Sequence, residues 1–65
     1  MISFNGEEKP FKGEMTVADF LEKEGYRTER VAVEINGSIV PKHTFGEEVM
    51  KPGDTVEVVS FVGGG

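Results

Sequence analysis

The sequence contains no cysteine and only one histidine, His43. Without cysteine a chain forms no disulfide, binds no zinc or iron–sulfur cluster through thiolates and has no cysteine nucleophile. A single histidine cannot build a metal cluster or a catalytic triad, and His43, beside Pro41 and Lys42, is interpreted as a surface loop residue. Because the usual nucleophiles and acid–base sets are missing, the chain is predicted not to be an enzyme and not to bind a metal.

Long hydrophobic runs are also missing. The first residues, MISFNGEEK, lack a basic segment followed by a long apolar stretch. No run in the chain approaches the roughly 20 apolar residues that a membrane-spanning helix needs. We therefore expect a cytoplasmic protein that does not enter a membrane.

Positive charge is scarce. Seven Lys and Arg residues stand against twelve Asp and Glu residues, so that the formal net charge is -5. Phosphate backbones and anionic membrane surfaces repel an acidic chain, and neither nucleic acid nor a membrane is an expected partner. A protein with a basic surface is a better match for this acidic chain as a partner. The acidic pairs at 7–8 and 47–48 are interpreted as solvated faces.

The chain has room for one domain with one small core, since it has 65 residues. Hydrophobic residues make up 37% and charged residues 29%, which is typical of a folded soluble protein rather than a disordered one. We expect one folded domain over residues 1–62 and a flexible glycine tail over residues 63–65.

Two Asn-Gly dipeptides each follow an alternating apolar and polar run, a pattern typical of β-hairpins. The first, Asn5-Gly6, follows ISF and precedes a returning strand predicted over 8–11. That strand is placed at an edge because Pro10 has no N–H for a central ladder. The second, Asn36-Gly37, follows VAVEI and returns through 39–40.

A helix is predicted between the hairpins, over 17–24. The apolar positions of VADFLEKE recur at the spacing of one helical face. Thr16 is the expected N-cap, and Asp19 stands where a carboxylate can reach back toward the cap. Gly25 follows as the left-handed residue that ends the helix.

The last strand is apolar on both faces towards its end. A Pro-Gly-Asp turn precedes the alternating run TVEVVSFV, at 55–62. Strands that are hydrophobic on both sides are usually central, so this strand is predicted to lie between the first strand and the strand that begins at Val31. The preceding segment, 42–50, has no clean period. Phe45 and Val49 are interpreted as anchors of a short strand or an irregular loop.

The order of a hairpin, a helix and further strands with a central last strand predicts an α+β protein of the β-grasp fold. In that fold one helix packs across a mixed sheet, here of about four or five strands. At this point the sequence resembles a known family, the ThiS sulfur carriers of thiamin biosynthesis, which are ubiquitin-like proteins that end in Gly-Gly. The resemblance extends over nearly the whole chain and is carried by INGSIVP, GDTVEVV and the terminal GG, at 35–41, 53–59 and 64–65.

One reactive group remains, the α-carboxylate of Gly65, which is an anion at neutral pH. A carboxylate is a poor electrophile because it would have to expel oxide. If an activating enzyme joins it to AMP from ATP, a sulfur nucleophile can displace AMP and leave a thiocarboxylate on Gly65. Residues without a Cβ form a thread thin enough for a narrow channel, and 63–65 would reach about 10 Å beyond Val62.

The resemblance implies that the carrier binds no cofactor and that a partner enzyme consumes the ATP. The implied partners are a ThiF-like adenylyltransferase, a ThiG-like thiazole synthase that receives the sulfur, and a sulfur donor enzyme. Gly63 and Gly64 are expected to contact the partner as the tail enters its channel.

A docking surface is predicted on the sheet face that is turned away from the helix. The more uniformly apolar set of alternate residues in the long strands is assigned to the helix side. The outer set is then Ala32, Val59 and Phe61, rimmed by Glu34 and Glu57. A small apolar centre with an acidic rim suits a partner that surrounds a hydrophobic contact with basic residues.

Three alternatives stay open on sequence alone. Val59 and Phe61 could equally be core residues beneath a loop. The small subunit of molybdopterin synthase shares the fold and the chemistry, and only its recipient differs. A regulatory β-grasp module of the TGS type also carries sequences similar to INGSIVP and GDTVEV, but such a module does not need a free Gly-Gly end.

Overall fold

The computed structural model describes residues 1–61; Val62 and the predicted tail, 63–65, lie outside the described residues. In the described part of the chain, strands, one α-helix and two short 3-10 turns follow one another. The helix α1 is Val17–Lys23, and the 3-10 turns are Thr28–Arg30 and Lys42–Thr44. The strands are β1 (Ile2–Phe4), β2 (Glu7–Lys9), β3 (Met15–Thr16), β4 (Val31–Ile35), β5 (Ser38–Val40), β6 (Val49–Met50) and β7 (Thr55–Ser60).

Five of the strands form one mixed sheet in the order β2-β1-β7-β4-β5. β1 and β7 run parallel, whereas the other neighbours are antiparallel. β3 and β6 form a separate antiparallel pair. The last strand therefore lies between β1 and β4, and the predicted α+β architecture with a central last strand is confirmed.

Both Asn-Gly dipeptides form the predicted hairpin turns. Asn5 and Asn36 have φ angles of 50° and 53°, and the glycines after them have φ angles of 84° and 85°. Positive φ at both central positions is what a type I′ turn requires. The first returning strand ends at Lys9, earlier than predicted, because the fixed φ of Pro10 and its missing N–H fit a ladder poorly. Phe11, predicted in that strand, is buried in the core instead.

The helix α1 begins where it was predicted. Thr16 is its N-cap, and the hydroxyl of Thr16 accepts a hydrogen bond from the N–H of Asp19 at 3.1 Å. The helix ends at Lys23, one residue before the predicted end, with Glu24 as the C-cap. Gly25 follows with a φ of 88°, as a left-handed terminator should. The buried residues of the helix are Val17, Phe20 and Leu21.

The segment 42–50 covers the N-terminus of α1. The N–H of Val17 donates to the carbonyl of Glu48 at 2.9 Å. The N–H of Ala18 donates to the carbonyl of Phe45, also at 2.9 Å. The first N–H groups of a helix have no partner within it, so this segment supplies the missing acceptors.

The predicted anchors of this segment are half right. Phe45 is buried, but Val49 is 38% exposed, so its assignment as an anchor is wrong. Met50 is buried in its place. The reason is the register of the short sheet, in which Met50 pairs with Met15 and the alternation of the strand turns Val49 outward.

The core lies between α1 and the inner face of the five-stranded sheet. Among residues 1–61 the buried side chains are all apolar. Within the same residues, no helix combines the length and the apolar character that crossing a membrane requires. The largest buried side chains are Ile2, Phe20, Leu21 and Met50.

Candidate functional site

The outer face of the sheet, turned away from α1, carries exposed apolar side chains on its two central strands. In β4 every second residue is buried, and Ala32 lies on the exposed side. In β7, Val59 is 60% exposed and pairs directly with Ala32. Phe61 follows the strand and is 54% exposed. The interpretation of Val59 and Phe61 as core residues is therefore wrong.

The same face holds a residue that sequence reasoning missed, Ile39 of β5, which is 74% exposed. Ile39 pairs with Glu34, which in turn pairs with Glu57 on the other side of β4. A signal was present, because Ile39 and Val40 are consecutive in one strand and only one of them can face the helix. Val40 is the buried one. We define the outer patch as Ala32, Ile39, Val59 and Phe61.

Glu34 and Glu57 border the outer patch and face each other. They are paired residues of β4 and β7, and both are exposed. Neither carboxylate takes part in an ion pair within residues 1–61. Like charges directly opposite each other in a sheet are destabilising. The rim therefore carries negative charge that a basic surface would offset.

Phe61 is held in place at the edge of the outer patch. Its N–H donates to the carbonyl of Arg30 at 2.8 Å. The ammonium of Lys42 lies over its ring, with 5.7 Å between Nζ and the ring centroid. The same Nζ donates a hydrogen bond to the carbonyl of Glu29 at 3.1 Å. The last described residue is thus tied to the 3-10 turn that precedes β4.

A shallow apolar groove of about 310 Å³ opens beside Phe61. Its outer part is formed by Ala32, Ile39 and Pro41, and it reaches down to Phe45 of the core. The groove continues the outer patch around the end of β5. The apolar side chains of a docked protein would have two places to pack on this face, the flat outer patch and the concave groove.

A second groove, of about 360 Å³, lies between α1 and the turn Thr28–Arg30. Its lining is mixed: the carboxylates of Asp19, Glu22 and Glu29 lie beside the apolar groups of Ala18 and Tyr26. A backbone hydrogen bond of the residue itself, followed by the charges of Arg27 and Arg30, holds the pKa of Glu29 below its usual value. None of the predicted site residues that fall within residues 1–61 lines this groove.

The predicted reactive carboxylate of Gly65 and the predicted contacts of Gly63 and Gly64 lie outside the described residues. The predicted site residues within residues 1–61 come together on one face of the sheet, at the end of β7 that leads towards the tail. Their roles in binding a partner stay predictions.

Residues 2–65 match the family model of the ThiS family. A crystal structure of a thiamine biosynthesis protein (ThiS) from Geobacter metallireducens is similar to this chain, with a TM-score of 0.82 and 31% identity. The similarity covers 98% of this chain and 97% of that chain. Since that chain is of nearly the same extent, the likeness includes the whole β-grasp domain.

Two thiazole synthases are also similar in sequence. The one from Paramagnetospirillum magneticum is 44% identical over 64 residues, which are 98% of this chain and 20% of that protein. The one from Magnetococcus marinus is 39% identical over 64 residues, with the same 98% and 20% coverage. This chain spans about a fifth of the length of these two relatives. The family match over residues 2–65 confirms the resemblance seen in the sequence, and the chain belongs to the ThiS family.

Proposed function

We propose that this protein carries sulfur for the thiazole of thiamin on the α-carboxylate of Gly65. The observation that carries the proposal is the extent of the family match, which runs through residue 65 and so includes Gly64 and Gly65. In this account the protein is not an enzyme. It is a co-substrate, first of a ThiF-like adenylyltransferase and then of a thiazole synthase.

The proposed chemistry has two steps at one carbon atom. A carboxylate oxygen of Gly65 attacks the α-phosphorus of ATP, and pyrophosphate leaves. Sulfur at the oxidation level of sulfide, supplied by a donor enzyme, then attacks the carbonyl carbon. The bond between that carbon and the oxygen of AMP breaks, and AMP leaves with the electron pair. The carrier itself binds no cofactor, because the partner binds and consumes the ATP.

The outer patch is the proposed docking surface for the adenylyltransferase. Val59, Phe61 and Ala32 are exposed on the face that ends at the tail, and Ile39 enlarges the apolar area. A docked surface would bury these side chains at the centre of the contact, where most binding energy arises. Gly63 and Gly64 are proposed to follow into the channel that leads to the nucleotide.

Thiazole synthase is the proposed recipient of the sulfur. Two proteins named thiazole synthase each contain a segment similar to 98% of this chain within a protein about five times as long. Placing a donor and its acceptor in one polypeptide raises their effective concentration, which is useful only if the two act together. This relationship favours thiazole synthase over molybdopterin synthase.

A transfer experiment tests this recipient. The carrier, loaded with isotopically labelled sulfur at Gly65, is mixed in one reaction with thiazole synthase and the substrates that supply the carbon and nitrogen atoms of the ring. In another reaction it is mixed with the large subunit of molybdopterin synthase and the pterin that this enzyme converts. We expect the label to leave the carrier and enter a thiazole only in the first reaction. Release of the label to the molybdopterin enzyme alone would contradict the assignment.

A further inference from the structure

The end of β7 is supported on one side only. β1 pairs with β7 at Thr55 and Val56, and the side chain of Asn5 then binds the backbone of Val58. Beyond Val58, within the described residues, the ladder continues only towards β4 and its preceding turn. Phe61 therefore lies in a segment with backbone hydrogen bonds on the side of β4 alone, so its direction is less restrained than that of the rest of β7.

We propose that Lys42 is a positioning residue, which fixes the orientation of Phe61, the residue from which the reactive tail continues. This inference rests on the proposed carrier function. The ammonium over the ring face attracts the ring electrostatically, while the hydrogen bond from Nζ to the carbonyl of Glu29 keeps the ammonium in place. Lys42 thus connects the ring of Phe61 to the backbone of the 3-10 turn Thr28–Arg30, which directly precedes β4.

The expected benefit of this contact is preorganisation. Phe61 is 54% exposed, and an exposed ring at a strand end has several rotamers available. Ordering such a side chain during association lowers affinity, so a ring that is already held binds more tightly. A cation–π contact at an exposed site corresponds to a factor of about two to five in an equilibrium constant. Lys42 should change affinity by a factor of that size.

The test uses the full chain with its adenylyltransferase and measures ATP–pyrophosphate exchange against carrier concentration. Lys42→Gln removes the charge, and Lys42→Arg restores a cation that stacks on rings. Lys51→Gln is the matched control, because Lys51 precedes β7 at the end opposite to Phe61 and the charge change is the same. We expect Lys42→Gln to raise the KM for the carrier about two- to fivefold with kcat unchanged. Lys42→Arg and Lys51→Gln should stay close to the unmodified chain.

A double-mutant cycle asks whether Lys42 acts through Phe61 rather than through the partner. In a chain with Phe61→Leu, which keeps an apolar side chain but removes the ring, Lys42→Gln should have no further effect on KM. The role of Lys42 would be overturned by equal KM values for Lys42→Gln and Lys51→Gln. It would also be overturned if Lys42→Gln had its full effect in the chain with Phe61→Leu; in both cases the proposed function would still stand. Absence of exchange with the unmodified chain would overturn the proposed function and this role together.

Discussion

Ala32 and Val59 lie directly opposite each other across the two central strands, on the face of the sheet that is turned away from α1. The register that pairs them also pairs Val33 with Val58, and these two are buried against the helix. A shift of one residue would exchange the two sets and expose the core. Burial of the core and exposure of the outer patch are therefore consequences of the same register.

The first prediction tests whether Val59 belongs to the outer patch or to the core. Val59→Asp should leave the free domain folded, because Val59 is 60% exposed. It should weaken binding to the adenylyltransferase by about 2–4 kcal/mol, since a charge would be desolvated at the centre of the contact. Affinity is measured by calorimetry and folding by circular dichroism.

The neighbouring residue is the control for this variant. Val58→Asp places the same charge at a position that is 6% exposed and should unfold the free domain. If Val59→Asp melts the domain as Val58→Asp does, the outer patch is part of the core and the docking surface is misassigned.

The second prediction concerns the carboxylates that face each other at the rim. Glu57→Gln should stabilise the free domain by roughly 0.2–1 kcal/mol, because it removes the repulsion with Glu34. The same change should slow association with the adenylyltransferase and reduce the dependence of that rate on salt, if the partner is basic. Urea denaturation and stopped-flow association measure the two effects. A variant that is less stable than the unmodified chain, or whose association rate is unaltered, would contradict this description of the rim.

The third prediction concerns Asn5, whose side chain continues the ladder where β1 ends. Asn5 Oδ1 accepts a hydrogen bond from the N–H of Val58 at 2.8 Å, and Nδ2 donates to the carbonyl of Val58 at 3.3 Å. Asn5→Ala removes both bonds and also places a less tolerant residue at a φ of 50°, so the free energy of unfolding should fall by about 1–3 kcal/mol. Asn5→Gly removes the bonds while relieving the backbone and should cost less. Equal losses for the two variants would show that φ is unimportant here.

Local patterns were sufficient to predict most of the fold. The Asn-Gly turns, the Thr16 cap and the alternation of β7 each depend on neighbouring residues, and all three are present. The anchor at Met50 could not be predicted, because its burial depends on pairing with Met15, far away in the sequence. Ile39 was missed for the opposite reason, since its exposure follows from a strand alternation that was visible but not applied.

The candidate site, too, was predictable from the sequence only in part. Alternation in β4 and β7 was enough to place Ala32 and Val59 on the outer face. The contact between Lys42 and Phe61 was not predictable, because it joins segments that only the order of strands in the sheet brings together.

The fourth prediction concerns the width of the tail. Gly64→Val adds a branched side chain and restricts the backbone, so a narrow channel should admit it poorly. We expect stability to be unchanged, because the last buried residue among residues 1–61 is Val58. ATP–pyrophosphate exchange should fall strongly while circular dichroism stays the same. Exchange at the rate of the unmodified chain would count against a threaded tail.

The most direct measurement of the central claim is the intact mass of the carrier after incubation with ATP, the ThiF-like adenylyltransferase and a sulfur source. Replacement of one oxygen of the Gly65 carboxylate by sulfur should add about 16 Da, and fragmentation should place the added mass on Gly65. A chain that lacks Gly65 should remain folded and gain nothing. No gain in the unmodified chain, or an equal gain in the shortened chain, would contradict the account.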